Sequence, residues 1–497
     1  MPESTAVPPC PGVDTAASVA SVASVASVAH DAAAAKSAGH TKAAVAEEAV
    51  AATGAATLAD TIPAETIPAE TAAASANAAN AASAAAAATT APSAGTRIMK
   101  GTAEFKRTNR ALFFGGFSTF GLLYCIQPLL PLLSREFALT AAQSSLSLSI
   151  STATLAVSML VTSAISDRIG RKGLMVAAML TAALMTLLCA FASDFSHLVI
   201  MRALLGASLG GIPAIAMTYL GEEIDPASLG LSMGLYIAGS AFGGMTGRLV
   251  SAILSDFFSW RVALGAIGLL GLLAGAEFWR SLPRSRNFVA SDRGFAAFPL
   301  GIRQHFSDPG LPWLFCLAFI LVGCFVSMYN YIAFRLLAAP FELRQSVVGA
   351  VAFFYLIGMF SSVWAGRLAD RLGRRRVLWM VMSLMLAGLL ATLVDSIWLI
   401  APGIALFTFG FFASHSVASS WVSRRARPPQ ALASALYLFF YYLGSSVLGS
   451  LSGVMWGRSG WNGVVIILSI SLVAGMLITL RLRTLMPLAP ATAKANG

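Results

Sequence analysis

Four ionisable side chains interrupt the long apolar stretches of this sequence: Arg202, Arg248, Glu277 and His415. A charge held in a hydrocarbon-like setting costs about 2.5–3.5 kcal/mol on insertion scales, so each such group marks chemistry by default. His415, within FFASHSVASSW, has an ordinary pKa of about 6.5 and can exchange a proton near neutrality. It reads equally well as a neutral ring bonded to a serine or a backbone carbonyl. Arg202 opens RALLGASLGG, with Gly206 and Gly210 on its own helix face; one role for it is structural, bonding backbone carbonyls of a neighbouring helix. Arg248 follows Gly239, Gly243 and Gly247, a ladder of small residues that lets two helices approach closely, and Gly444, Gly449 and Gly453 form a looser counterpart. Glu277 stands three residues before Arg280 and reads as a side chain reaching for the interface.

Two charged knots sit between apolar runs, SDRIGRKGLM at 166–175 and ADRLGRRRVL at 369–378. In each, a glycine (Gly170, Gly373) permits a tight turn of two or three residues between antiparallel helices. Asp167 falls at a helix end, where it can pair with Arg171 or accept hydrogen bonds from the N-terminus of a facing helix. Each knot therefore reads as a latch, made in one conformation and broken in another.

The elements that position these groups follow from composition. The sequence is 57% hydrophobic and 11% charged, with a mean hydropathy of +0.76, well outside the range of soluble domains. A bilayer core takes about 20 apolar residues per helix. Twelve such runs are predicted at 111–133, 144–165, 174–192, 198–220, 230–254, 261–279, 312–334, 346–366, 377–394, 397–421, 431–456 and 462–480. The expected architecture is an all-α membrane protein of twelve transmembrane helices in two pseudo-symmetric six-helix bundles, 100–280 and 312–483. A cytoplasmic linker at 281–311 joins them, and cytoplasmic tails flank them at 1–99 and 484–497. The first tail, with runs such as ASVASVASVA, is Ala-rich, nearly free of aromatics and expected to be disordered. Met1–Gly12 holds no Lys or Arg, unlike a secretory signal. Cys125, Cys189, Cys316 and Cys324 show no metal spacing and are expected to be buried small hydrophobes.

The net charge of +11 does not imply a nucleic-acid partner. With the N-terminal flank taken as cytoplasmic, 24 Lys and Arg fall in inside segments against five outside. This is the positive-inside pattern, and it predicts both termini in the cytoplasm of a multi-pass inner-membrane protein. No metal-ligand spacing, G-x-S-x-G elbow or phosphate-cradling loop argues for an enzyme, and no cofactor is expected.

Asp167 and Asp370, Trp260 and Trp461, and Pro226 and Pro428 recur 203, 201 and 202 positions apart. Such duplicated halves are the mark of secondary transporters, whose binding site lies between the repeats near the bilayer midplane. The knots SAISDRIGRK and AGRLADRLGRR resemble the loop signature G-x-x-x-D-R-x-G-R-[RK] of the major facilitator superfamily. They place Asp167, Arg168, Gly170, Arg171 and Lys172 in the first copy and Gly366, Asp370, Arg371, Gly373 and Arg374 in the second. Ser163 stands where the signature has glycine. LLYCIQPLLPLLS, MTYLGEEI, GLYIAGSAFGGMTGRL and FFASHSVASSW look like the YnfM-like inner-membrane transport proteins, in the drug and sugar efflux neighbourhood of that superfamily.

The resemblance implies that Glu222 is the counter-charge of the first latch, and that Arg202 serves proton transfer or substrate charge as an alternative to its structural role. Arg248 falls at the end of a stretch similar to the antiporter motif G-P-x-x-G-G, with Gly244 in place of the proline. Many proton-coupled exporters of the family carry an acid in the first span, where this chain has Tyr124 and Gln127. Proton coupling then falls to His415 or Glu277, or is absent, with Arg202 and Arg248 as further coupling candidates. Tyr124, Gln127, Asn330, Tyr355, Tyr437 and Tyr441 are expected to line the substrate cavity, whose aromatics and amides suit a neutral or weakly charged organic solute. The expected function is alternating-access transport of a small molecule by a monomer, proton-coupled efflux by resemblance, with uptake by symport or a non-transporting sensor as alternatives.

Overall fold

The computed structural model describes residues 97–288, 290, 298–427 and 430–483. Most of both expected tails lies outside the described residues.

Capping residues start several helices. Thr102 opens Ala103–Tyr124 (span 1), a Thr140–Gln143 capping box opens Ala141–Ile169 (span 2), and Ser259 opens Trp260–Ser281 (span 6). Span 3 is Arg171–Cys189 and span 5 Pro226–Phe257. Spans 7, 8 and 10 are Leu311–Leu337, Gln345–Leu372 and Ile397–Arg425. Nine segments among the described residues are long and apolar enough to cross a membrane. Three local features account for the difference from twelve. Span 4 is broken into Phe195–Leu209 and Pro213–Glu223 by the sequence before Pro213. Span 9, Arg374–Ala391, opens on three arginines. Spans 11 and 12 run on as Gln430–Arg483, interrupted only by the non-helical Ser459 and Gly460.

The connection in each charged knot is a single glycine, tighter than predicted. Gly170 (φ 98°) closes span 2 and opens span 3, and Gly373 (φ 85°) does the same between spans 8 and 9. Both lie in the left-handed region that only glycine enters readily.

The halves repeat in their packing. Spans 1 and 5 pair as 7 and 11 do, 2 and 4 as 8 and 10, and 3 and 6 as 9 and 12. A Cβ added at Gly243 would overlap the Phe117 carbonyl, and one at Gly444 would overlap the Phe319 carbonyl. The same crossing is thus built twice on a missing side chain. Gly206 and Gly210 likewise seat span 4 on span 2. Gly453 does something else: it lies against Ala142, letting span 11 cross span 2 of the other half.

Cross-half contacts gather at the end of the bundle opposite the charged hairpins. There Asp256 accepts from the Ser346 hydroxyl at 2.5 Å and pairs with Arg344 at 3.3 Å. Gln345 donates to the Pro128 carbonyl, and Gly349 meets Ala252. Within the first half, Glu136 and Arg261, 2.7 Å apart, tie the end of the short helix Leu130–Glu136 to the start of span 6. Spans 2 and 8 both run away from that end, so the two glycine hairpins share the other one. Cys125, Cys189 and Cys324 are buried, but Cys316 is exposed on span 7, a correction to the expected burial. Cys316 falls on the outward side of the helix, opposite the buried Leu314, Phe315 and Leu317, where a small apolar thiol meets lipid at little cost.

Candidate functional site

Span 1 stops at Tyr124 because Pro128 and Pro131 cannot continue its hydrogen bonding, and the chain passes through a 3-10 turn, Gln127–Leu129. The break turns Gln127 inward, where it is 1% exposed. Its Oε1 accepts from Arg248 Nε at 2.5 Å, and its Nε2 donates to Asn330 Oδ1 at 2.6 Å and to the Val326 carbonyl at 3.2 Å. One amide therefore links spans 1, 5 and 7, and so both halves.

Arg248 is held above aromatic faces. Its guanidinium carbon lies 4.2 Å from the Tyr124 ring centroid, 4.7 Å from Tyr355 and 6.0 Å from Tyr329, and Nη1 donates to the Gly244 carbonyl at 2.7 Å. Gly244, which replaces the proline of the similar motif, keeps a carbonyl within reach of this arginine. Four of the expected cavity residues, Tyr124, Gln127, Asn330 and Tyr355, thus converge on one expected coupling residue.

The other expected residues join through rings that sequence reasoning missed. Phe325 stacks on Phe411 with centroids 3.8 Å apart and packs edge-on to Tyr355 at 5.5 Å. Phe411 lies 6.0 Å from the His415 ring, which packs against Tyr437 at 5.6 Å and Tyr441 at 5.1 Å. The Tyr437 hydroxyl and His415 Nδ1 are 3.0 Å apart. The partner of His415 is a phenol, not the serine or backbone carbonyl that the structural alternative for this ring supposes. Tyr329, Phe325 and Phe411 carried one usable signal. Phe325 precedes Tyr329 by four residues and Phe411 precedes His415 by four, so each pair shares a helix face.

Arg202 lies apart from this cluster. Fully buried, it donates to the carbonyls of Ser147 (3.0 Å), Leu122 (3.0 Å) and Leu123 (2.5 Å). Of the two roles the sequence left open, this geometry is the structural one. Glu277 is 44% exposed beside Arg110 at 2.9 Å.

At the hairpin end Arg171 donates to both oxygens of Glu222, at 2.7 and 3.2 Å, and to the Ser166 hydroxyl at 2.6 Å. Phe288 of the linker lies under its guanidinium at 5.3 Å. Lys172 donates to the Leu282 carbonyl. Arg168 is in the last turn of span 2, and the Asp167 and Ser163 side chains lie outside the described residues. In the second copy Asp370 bonds Arg374 at 2.8 Å and lies 3.6 Å from Arg424; Arg371 is exposed and Gly366 half-buried. Glu223, beside Glu222, accepts from the backbone amides of Arg286 and Asn287 at 2.7 and 2.9 Å, pinning the linker.

No group of metal-ligating side chains occurs among the described residues. The family model described as Major Facilitator Superfamily matches residues 112–358 and 336–496. The inner membrane transport protein YnfM of Escherichia coli (strain K12) is 50% identical over 385 residues, which cover 78% of this chain and 92% of that protein. An uncharacterized MFS-type transporter, YybF of Bacillus subtilis (strain 168), is 45% identical over 74% of this chain and 92% of its own. The crystal structure of a bacterial homolog of the human lysosomal transporter Spinster, inward-facing and occupied, superposes with a TM-score of 0.64 at 15% identity, over 77% of this chain and 98% of that one. That likeness shows the shared fold. With the family model covering most of the chain and half the aligned residues shared with a relative matched over nearly its whole length, the chain belongs to the major facilitator superfamily, as a multi-pass membrane transporter that moves a solute and not as an enzyme.

Proposed function

We propose that this transporter exports a small organic solute across the inner (cytoplasmic) membrane by proton-coupled alternating access, as a monomer with both termini in the cytoplasm. The observation that carries the reading is the Arg248–Gln127–Asn330 chain, which joins the halves within a cage of tyrosines. A site shared between repeats is reached from either side as the halves rock. The positive-inside count puts the charged hairpins inside. On that orientation the cross-half contacts of Asp256, Gln345 and Gly453 close the outer end, and the arrangement is the inward-facing half of the cycle. The hairpins of Asp167 and Asp370, whose pairs within each half (Arg171–Glu222 and Asp370–Arg374) are formed here, act as latches by meeting across the halves to close the inner end in the opposite half of the cycle. His415, bonded to Tyr437 and beside the cage, is the protonatable group for coupling.

Paired cysteines test the cycle: Asp256→Cys with Ser346→Cys at the outer end, and Arg168→Cys with Arg371→Cys at the hairpins, in a chain lacking Cys10 and Cys316. Solute should raise cross-linking of one pair while lowering the other. Efflux of a drug and sugar panel from whole cells, with the proton gradient intact or collapsed by a protonophore, tests direction and coupling. Cross-linking that never responds to any solute, or efflux unaffected by the gradient, contradicts the respective part.

A further inference from the structure

Arg202 and Arg248 are both buried arginines, 0% and 4% exposed, yet their surroundings differ in kind. All three nitrogens of Arg202 donate to backbone carbonyls. Arg248 uses only Nε and Nη1, toward Gln127 and Gly244. Its Nη2 has no hydrogen-bond partner among the described residues, and no carboxylate there lies within ion-pair distance. The amide chain that starts at Arg248 ends in the same way, since Nδ2 of the fully buried Asn330 has no partner either. Both unpartnered nitrogens are donors.

Leaving one cation uncompensated in the interior costs several kcal/mol. The tyrosine faces offset part of that, about 0.5–2 kcal/mol per favourable contact, but they supply neither an acceptor nor a neutralising charge. A sugar hydroxyl supplies an acceptor without the charge, and a cationic solute meets repulsion. A carboxylate supplies both. One unpaired cation calls for one negative charge, and the rings of Tyr124 and Tyr355 flank the guanidinium where an apolar body would continue from that carboxylate.

We infer that the transported solute is an organic monocarboxylate, its carboxylate on Arg248 and its apolar body against Tyr124 and Tyr355. The inference rests on reading this cluster as the transport site, and it narrows the neutral or weakly charged solute expected from the aromatics and amides to a singly charged one.

The test uses full-length protein in detergent and reads the thermal midpoint against benzoate and phenylacetate, their amides benzamide and phenylacetamide, and benzylamine. Each carboxylate should protect at a concentration about tenfold or more below its amide, with benzylamine ineffective. R248K should keep the preference and R248Q should bring the ratio to about one. Because R248Q strands the Gln127 acceptor, the paired variant R248M/Q127L, which removes both groups, is measured beside it and should show the same collapse. Carboxylates no better than amides in the parent protein, or a ratio that survives both variants, overturns the inference. The two readings fail separately. Solute-driven exchange between the cysteine pairs without a carboxylate preference sinks only the monocarboxylate, whereas carboxylate binding through Arg248 without such exchange sinks only the transport cycle.

Discussion

Glu222 and Arg424 occupy the same place in the two halves, 202 positions apart, and carry opposite charges. Each stands near the end of an even-numbered span beside its own glycine hairpin. Glu222 binds the arginine of its hairpin, Arg171, whereas Arg424 approaches the aspartate of its own, Asp370. The neighbouring residues invert as well: Glu223 accepts from the linker amides, and Arg425 pairs with Asp308 at 2.5 Å where the linker enters span 7. Duplication has preserved the position and reversed the polarity, so the two hairpins are not energetically equivalent.

The inversion predicts unequal sensitivity. Arg171 is 6% exposed, and Glu222→Gln removes the counter-charge from a largely buried cation that keeps its Ser166 hydrogen bond, a loss of about 1–3 kcal/mol. Asp370 is 47% exposed, and its ion pairs belong with surface pairs worth about 0–1 kcal/mol. Thermal unfolding of Glu222→Gln and Asp370→Asn in the same detergent should separate the two clearly. A double-mutant cycle of Arg171 with Glu222 should return a coupling of about 1–3 kcal/mol. Equal shifts for both single variants would remove the asymmetry.

Asp167 is expected to act on turnover more than on assembly. Asp167→Asn should depress transport several-fold while leaving the amount of protein in the membrane close to that of the parent. Quantitative membrane immunoblots alongside transport rates make the comparison. Equal loss of both would reduce the hairpin to a folding element.

The helix crossings give a sharper test of packing. Gly243→Ala and Gly444→Ala each drive a methyl into a backbone carbonyl of the facing span, where no side chain can yield. Each should lower stability by more than about 2 kcal/mol, in the range of overpacked cores. Gly230, in the same helix as Gly243, has open space around it, and Gly230→Ala should be neutral or stabilising by up to about 1 kcal/mol from helix propensity alone. Extraction yield and thermal midpoint of the three variants decide the matter.

Much of this was legible in the chain because the bilayer simplifies the physics. A span must be apolar and about 20 residues long, so the twelve runs and the twofold echo could be read directly, and a charge within a run was conspicuous. Tyr124, Gln127, Asn330 and Tyr355 stood out as polar or amphipathic groups in apolar surroundings. Phe325 and Phe411 did not, because a phenylalanine facing lipid and one facing the centre look alike until the crossing geometry is known. Arg202 and Arg248 were likewise indistinguishable by type. What separates them is the company each keeps, three carbonyls for one and tyrosine faces for the other, and that depends on which helices abut. The polarity reversal at Arg424 was visible in the spacing, yet it has meaning only once Asp370 lies 3.6 Å away.

Arg202 and Arg248 should therefore fail differently. Arg202→Lys cannot reach three carbonyls from one ammonium, and the abandoned carbonyls of Ser147, Leu122 and Leu123 lie in dry protein. Each unsatisfied buried group costs about 1–3 kcal/mol, so Arg202→Lys should lose stability severely while whatever protein remains folded keeps its solute preference. Arg248→Lys should fold and retain charge preference with weaker binding, because an ammonium replaces the planar guanidinium against the rings. Midpoints and solute affinities measured on both variants give the split. Identical behaviour would mean that burial alone governs the two arginines.

His415 is the remaining discriminator, since its ring contacts Phe411, Tyr437 and Tyr441 and its Nδ1 meets the Tyr437 hydroxyl. If the ring carries the coupling proton, replacing it by an apolar aromatic ring removes the titration and keeps a ring in the aromatic packing. His415→Phe should then retain solute binding within about threefold, a change under 1 kcal/mol, but transport at the same rate whether an imposed pH gradient is present or absent. Tyr437→Phe leaves the histidine in place without its hydroxyl partner, and gradient-driven transport should persist with an altered pH dependence. Proteoliposomes with defined internal and external pH provide the measurement. A gradient response in His415→Phe equal to that of the parent would move the coupling proton elsewhere, because the phenyl ring has no nitrogen to hold it.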